Sequence, residues 1–126
     1  MEFLDANIFI YAFYENENTE KCQEIIKNGG ATNSLVLTET FNTLQRITTK
    51  EKAEKAIRGI LKLNIEIISL DTNLIFESLK RIDQYNLSFS DLIHYTCAFL
   101  NNCDSIISYD KNFGNEKNLK IKRREP

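Results

Sequence analysis

Proline and glycine are scarce in this chain. Its 126 residues include four glycines and a single proline, Pro126. These two residue types mark most loops and linkers, because they interrupt helices and strands. Their scarcity predicts one domain over residues 1–126 with no linker, and a chain of this length can bury a sizeable hydrophobic core.

Cysteine is also rare. The chain has three cysteines, Cys22, Cys97 and Cys103. Because their number is odd and they lack the close spacing of zinc ligands, the sequence predicts neither a disulfide framework nor a zinc site. The sequence shows no signal peptide and no apolar run of membrane-spanning length. We therefore expect reduced thiols, a cytoplasmic location and no membrane partner.

Neither sign of charge is in large excess. The net charge is −2, so the chain as a whole has no positive field that would favour nucleic acid, although a local patch can still bind it. Basic residues are concentrated near the end of the sequence: Lys117, Lys120, Lys122, Arg123 and Arg124. This basic end is either a solvated tail or an arm that contacts phosphate groups.

Short apolar runs alternate with longer segments of helical period, which predicts an α/β fold with a mainly parallel sheet. Strands are predicted at 2–5, 31–33, 65–70 and 105–108, with an edge strand at 120–122. Helices are predicted at 6–13, 17–28, 34–48, 50–63, 72–82 and 88–101. Ser34, Asp71 and Ser88 are the expected helix caps, and Gly29 with Gly30 is expected to end the second helix.

Four acidic residues lie beside apolar segments: Asp5, Glu39, Asp91 and Asp110. Asp5 and Asp110 directly follow predicted strands, and sites in parallel sheets lie at the carboxyl ends of strands. Carboxylates that converge there repel one another unless a cation lies between them. The pattern predicts a site for a hard divalent cation such as Mg²⁺.

Each acid also has an ordinary structural explanation. Asp5 and Asp91 lie where acidic residues cap or begin helices, and Asp110 lies where an Asx-turn commonly leaves a strand. Glu39 falls on the helix face opposite a predicted apolar stripe, and that face is commonly solvated. His94 follows Asp91 on the same helix face and is interpreted as a core or surface residue, or as a group that supports the site.

Four segments appear in a characteristic order. They are Asp5-Ala6-Asn7, Thr38-Glu39, the run Leu87-Ser88-Phe89-Ser90-Asp91-Leu92-Ile93-His94, and Ser108-Tyr109-Asp110-Lys111-Asn112-Phe113. Together they resemble the PIN-domain ribonucleases, and especially the small VapC-type toxins. Each segment is weak evidence alone, whereas the ordered set spans nearly the whole chain.

The resemblance implies an α/β/α sandwich of three layers around a parallel sheet of about five strands. It implies a Mg²⁺- or Mn²⁺-dependent endoribonuclease that cleaves RNA phosphodiester bonds and is held silent by an antitoxin, and homodimers are common in the family. The implied catalytic residues are Asp5, Glu39, Asp91 and Asp110, with Asp5, Asp91 and Asp110 on the metal and Asn7 and Ser108 in support. Because bare carboxylates repel phosphate, RNA also needs nearby cations, and the candidates are Arg46, Lys111, Lys122, Arg123 and Arg124.

Two other functions stay open at this stage. Phosphatases of the haloacid dehalogenase type place a nucleophilic aspartate after the first strand, but they carry a second aspartate two residues later, where this chain has Asn7. The other alternative is a PIN-like module that binds RNA or protein without cleaving it.

Overall fold

A computed structural model describes residues 1–116 and 118–126. Within those residues, strands and helices follow one another in an α/β pattern. Their bounds are β1 Phe3–Leu4, α1 Ala6–Ala12, α2 Thr19–Lys27, β2 Gly30–Asn33, α3 Ser34–Ile47, α4 Lys50–Leu61, β3 Ile65–Ile68, α5 Thr72–Leu79, α6 Phe89–Leu100, β4 Ser105–Ile107, α7 Lys111–Asn115 and β5 Lys122–Arg124.

The sheet has five strands in the order β3-β2-β1-β4-β5, and every pairing is parallel. The central strand β1 is buried on both faces, and Phe3 and Leu4 are each 0% exposed. From β1 the chain moves outward through β2 to β3, then returns to β4 on the other side of β1. The change of direction opens a crevice between the carboxyl ends of β1 and β4, where parallel sheets commonly place their sites.

The helices form two groups. Contacts link α1 to α2 and α3, and α3 to α4, whereas α5 packs against α6, which also contacts β2 and β4. Right-handed crossovers place the two groups on opposite faces of the sheet. The predicted α/β/α sandwich is therefore confirmed. No helix in the described ranges is long and apolar enough to cross a membrane.

The glycines at the end of α2 have conformations that other residues adopt at a cost. Gly29 and Gly30 have φ values of +89° and +142°. A Cβ atom on Gly30 would lie 2.8 Å from the carbonyl oxygen of Glu2, so a side chain there would push β2 away from β1. The predicted end of the second helix is confirmed.

Some local predictions were wrong, and one short helix was missed. The edge strand is Lys122–Arg124 rather than 120–122, and the helix α7 was not predicted. A helix of five residues is too short to show a hydrophobic period. Asn33, rather than Ser34, caps α3: its Oδ1 atom accepts a hydrogen bond of 2.8 Å from the Val36 amide.

The apolar face of α3 is rotated from the predicted one. The sequence suggested a stripe of Leu37, Phe41, Leu44 and Thr48, whereas the buried residues are Val36, Thr40 and Leu44. The rotation brings Glu39 to the border between core and solvent, and its side chain is 35% exposed. Glu39 is therefore not on a freely solvated face.

Candidate functional site

Polar side chains lie at the carboxyl ends of the three middle strands. Asn33 ends β2, Asp5 follows β1 and Ser108 follows β4. All three are buried, with exposures of 0%, 6% and 0%. Because a buried polar group is costly unless it is hydrogen-bonded, this edge of the sheet must hold a connected polar network.

Ser108 is the centre of that network. Its hydroxyl donates a hydrogen bond of 2.7 Å to Oδ2 of Asp5. It also accepts from Nδ2 of Asn7 at 3.0 Å and from the Asp110 amide at 2.9 Å. A serine hydroxyl has one donor and two acceptor positions, so all of its bonds are made. Ser108 thus joins β1, α1 and β4 across the crevice.

Asp5 caps a helix and also has a carboxyl group with a raised pKa. Its Oδ1 atom caps α1 by accepting from the Ala6 amide at 2.8 Å. Burial, followed by the charge of Glu39, raises the pKa of this carboxyl, and His94 and the Ser108 hydroxyl reduce the increase. The aspartate is held firmly in place, in surroundings that do not favour its negative charge.

Asp91 and Asp110 lie near Asp5. Asp91 is in the first turn of α6, where its amide donates to the Ser88 hydroxyl at 3.2 Å. Burial and the charges of Asp110 and Asp5 raise the pKa of Asp91 to about 6. Asp110 caps α7 through a bond of 2.9 Å from the Asn112 amide to its Oδ1 atom. Asp91 therefore lies within reach of the charges of two acids that are distant from it in sequence.

Glu39 reaches the same edge through His94. The Nε2 atom of His94 lies 2.8 Å from Oε1 of Glu39, and its Nδ1 atom lies 3.1 Å from Nδ2 of Asn33. The imidazole is 1% exposed and lies beside the ring of Phe3, with centroids 5.8 Å apart. The buried histidine links the end of β2, α3 and α6.

Two opposing effects act on the charge of His94. Burial disfavours the imidazolium, but the hydrogen bond to Glu39 and the charges of Asp5, Glu39 and Asp91 outweigh burial and raise the pKa of His94. The Asn33 amide acts against protonation, because a proton on Nδ1 would face the amide N–H₂ group, which is itself a donor. The hydrogen bonds of the structure match a neutral ring.

The donor set fits a hard divalent cation bound largely through water. It consists of the carboxylate oxygens of Asp5, Glu39, Asp91 and Asp110. Within the described ranges, lysine and arginine side chains form their ion pairs with other acids. In those ranges no group of three or more His, Cys, Asp or Glu side chains is arranged to hold a metal ion, so a bound cation would take most of its ligands from water. Mg²⁺ keeps several waters and needs only one or two carboxylates, so an open acidic cluster suits it.

The proposed RNA-contacting residues lie in different surroundings. Arg46 is exposed in the last turn of α3, Lys111 is exposed directly after Asp110, and Lys122 is exposed on β5. Lys117 lies outside the described residues. By position in the chain, Lys111 is the cation nearest to one of the acids.

The two arginines of β5 contact other parts of the protein. Arg123 donates from Nη1 to the Ser108 carbonyl at 2.9 Å and pairs with Glu125 at 3.0 Å. Arg124 forms two bonds of 2.9 Å with the carboxylate of Glu2. Glu2 precedes β1, so Arg124 is held toward the end of the sheet opposite Asp5. The basic segment at 122–124 is thus a paired strand rather than a free tail.

Sequence reasoning gave Asn33 no role at the site and did not identify the role of His94. A signal existed in both cases: His94 lies three residues after Asp91 on the same helix face, and Asn33 lies where a helix cap is common. The contacts of His94 with Glu39 and with Asn33 join residues 55 and 61 positions apart, which no local pattern can show.

The chain matches a known family of protein domains. The family is described as the PIN domain, and the match covers residues 3–117. No curated protein is similar enough in sequence to match.

Several solved structures share this fold. One is VapC20 of Mycobacterium tuberculosis, described as a toxin that cleaves the sarcin–ricin loop, with a TM-score of 0.75 and 16% identity over 90% of this chain and 93% of that one. VapBC2 of Rickettsia felis, bound to a DNA fragment from its promoter, has a TM-score of 0.71 and 19% identity over 98% and 97%. A toxin–antitoxin complex from Klebsiella pneumoniae has a TM-score of 0.69 and 17% identity over 91% and 92%.

Proposed function

This chain belongs to the PIN-domain family, and we propose that it is a metal-dependent endoribonuclease, the toxin of a toxin–antitoxin pair. The observation that carries the proposal is the placement of Asp5, Asp91 and Asp110 at the carboxyl edge of the sheet, where Ser108 bonds to the Asp5 carboxylate and to the Asp110 amide, and Asp91 lies within reach of both charges. An acidic cluster of this kind destabilises the free protein and is useful once a cation binds. The fold shared with VapC20 and with two toxin–antitoxin complexes supports the proposal.

We assign the metal-holding role to Asp5, Asp91 and Asp110, directly or through water. A bound Mg²⁺ or Mn²⁺ would lower the pKa of water and neutralise the charge that develops on the leaving oxygen of RNA. Ser108 holds Asp5 in one rotamer through its donated hydrogen bond, and Asn7 and the Asp110 amide complete that arrangement. Glu39 would orient the attacking water or hold a second metal ion.

Positive charge near the site has to hold the RNA. Lys111, which is exposed and adjacent to Asp110, is our first candidate, followed by Arg46 and Lys122. Arg123 and Arg124 already bond to Ser108, Glu125 and Glu2, so we expect a smaller contribution from them.

We further propose an antitoxin protein as the partner, and a homodimer as the toxin's own assembly, by analogy with the toxin–antitoxin complexes that share this fold. A basic side chain of the antitoxin would complement the acidic cluster. The buried free thiols of Cys22, Cys97 and Cys103 agree with the reducing cytoplasm that we propose as the location.

Cleavage of RNA in the presence and absence of metal tests the proposal. Purified protein should cleave RNA with Mg²⁺ or Mn²⁺ and lose that activity in EDTA. Asp5→Asn should lower the rate by roughly 100- to 1,000-fold, the range for loss of one preorganised electrostatic group. Asp71→Asn is the matched control, because Asp71 caps α5 outside the site and asparagine also caps well. Full activity of Asp5→Asn, or activity in EDTA, would contradict the proposal.

The same assay separates the two alternatives. A non-catalytic module would retain RNA on a filter without cleaving it at any metal concentration. A phosphatase of the haloacid dehalogenase type would hydrolyse small phosphomonoesters, which we do not expect. Asn7, at the position of that family's second aspartate, has no acidic proton and is bonded to Ser108 and the Tyr109 amide.

A further inference from the structure

His94 has no part in the proposed chemistry, yet its surroundings hold its side chain in a defined position. It is the single histidine among 126 residues. It is 1% exposed, and both ring nitrogens have a side-chain partner. Burying an imidazole in the core needs both of those bonds, because each unpaired nitrogen would be costly.

We propose that His94 is a positioning residue: its ring, held in one tautomer by Asn33, fixes the carboxylate of Glu39 at the acidic site. The catalytic consequence rests on the proposed ribonuclease function. The tautomer and the hydrogen bond to Glu39 do not depend on it.

The tautomer follows from the helix cap. Oδ1 of Asn33 accepts from the Val36 amide at 2.8 Å, so the other end of this side chain, facing His94, must be the N–H₂ group. Nδ1 of His94 is therefore an acceptor and carries no proton. The remaining proton of a neutral ring is on Nε2, which donates to Oε1 of Glu39 at 2.8 Å.

Glu39 needs such a partner. A glutamate has three side-chain torsions, and this one starts from a half-exposed position on α3. It lies close enough to Asp5 for its charge to raise the pKa of that carboxyl, so the two carboxylates repel each other. The bond from His94 holds one oxygen of Glu39, and within the described residues the second oxygen makes no hydrogen bond.

The histidine also couples Glu39 to Asp91. Asp91 and His94 are three residues apart on α6, so their side chains lie on the same face of that helix. One rigid helix thereby sets the position of an acid that it carries and of an acid carried by α3. Asn33 adds the end of β2 to the same arrangement.

Nuclear magnetic resonance tests the tautomer without metal or RNA. Because the chain has one histidine, ¹⁵N-histidine labelling gives one ring to assign. We expect a protonated Nε2, an unprotonated Nδ1, and a slowly exchanging Nε2 proton that is lost to exchange in Glu39→Ala. A proton on Nδ1, or an Nε2 proton unaffected by Glu39→Ala, would overturn the proposal.

Kinetics test the consequence. His94→Met, which removes both hydrogen bonds, should lower kcat by about 10- to 100-fold with little change in KM, as is typical when a supporting partner is lost. His94→Gln should recover most of the loss, since its amide can donate to Glu39 and accept from Asn33. In a Glu39→Ala background, His94→Met should add nothing.

The controls separate positioning from stability. Thr96→Val changes another fully buried residue of α6, whose hydroxyl has no partner within the described residues, and should keep full activity. If His94→Met does not fold, Asn33→Asp retains the helix cap and forces a proton onto Nδ1. That variant should show the altered ring spectrum and, because a proton on Nδ1 leaves the Nε2 donor to Glu39 in place, should keep most of the kcat. An unchanged spectrum would contradict the assigned tautomer.

Four results would contradict the proposal: additive losses in the double variant, a loss confined to KM, no recovery in a folded His94→Gln, or an equal loss in Thr96→Val. If the native protein cleaves no RNA, the proposed function fails, and the tautomer measurement still decides whether His94 holds Glu39.

Discussion

At the amino end of the sheet, Glu2 lies against the guanidinium of Arg124 through two bonds of 2.9 Å. That pairing, and further bonds that include the Ser105 hydroxyl, hold the pKa of Glu2 below its usual range. At the carboxyl end, Asp5 and Asp91 face other acids, and burial with mutual repulsion raises their pKa values. At the amino end an acid is paired with a cation, whereas at the carboxyl end acids lie near other acids.

The difference separates stability from function. A paired acid contributes to the folded state as soon as the chain folds, although a half-exposed pair contributes little. A cluster of like charges destabilises the fold until something binds, which is how functional sites commonly depart from the most stable arrangement. The two ends of one sheet therefore provide matched experiments.

RNA cleavage should show the largest difference between substitutions at the two ends of the sheet. Asp91→Asn should lower RNA cleavage by roughly 100- to 1,000-fold, because it removes a group to which we assign a metal-holding role. Glu2→Gln should leave cleavage within about twofold, since Glu2 lies at the opposite end of β1. Initial rates of cleavage with Mn²⁺ measure both. A comparable loss in Glu2→Gln would show that the two ends do not differ in function.

Metal should stabilise the protein only through the acidic end. Mg²⁺ at 100 times its dissociation constant should add about 2.7 kcal/mol to the free energy of unfolding, because it binds the folded state alone. Glu2→Gln should show the same gain, and Asp91→Asn should show much less. Urea unfolding with Mg²⁺ and with EDTA measures the gain, and equal gains in all three proteins would contradict the assignment.

Without metal, the two substitutions should change stability in opposite directions. Asp91→Asn removes a repelled charge and should stabilise the protein by on the order of 1 kcal/mol, after allowance for the solvent screening of a half-buried group. Glu2→Gln loses an ion pair and should destabilise it by about 0.5 kcal/mol. Urea unfolding in EDTA at pH 7 measures both, and a destabilised Asp91→Asn would count against repulsion at this site.

A change of pH should produce the smallest effect on stability. Because the pKa of Asp91 is about 6 in the folded protein and 3.8 ordinarily, the folded state binds more protons between these values. Its destabilising effect is therefore present above pH 6 and fades as the pH falls toward 4. From pH 7 to 5.5 in EDTA, the native protein should gain about 0.5 kcal/mol relative to Asp91→Asn.

The contribution of Glu2 to stability depends on pH with the opposite sign. Its pKa is lowered, so its contribution is lost only as the pH falls below the ordinary value of 4.5. Between pH 7 and 5.5, Glu2→Gln and the native protein should therefore change in parallel. Denaturation curves at several pH values distinguish these slopes, and a slope in the native protein that Asp91→Asn retains would assign it to another group.

The sequence by itself indicated an α/β fold with a mainly parallel sheet. Apolar runs at Phe3–Leu4 and Ser105–Ile107 and the amphipathic segments between them are local patterns, and local patterns set the type of each element. The order of the four acid-bearing segments also indicated the family, which the match over residues 3–117 confirmed. The sequence could not show the short helix α7, which has too few residues for a period.

Only the tertiary structure decided the connections at the candidate site. The bond from Ser108 to Asp5 spans 103 positions, and the bond from His94 to Glu39 spans 55. Such pairs depend on strand order and on the rotation of α3 about its own axis, and a shift of one residue in that rotation changes which side chains meet. Burial of the apolar face of α3 set that rotation and brought Glu39 to the buried histidine.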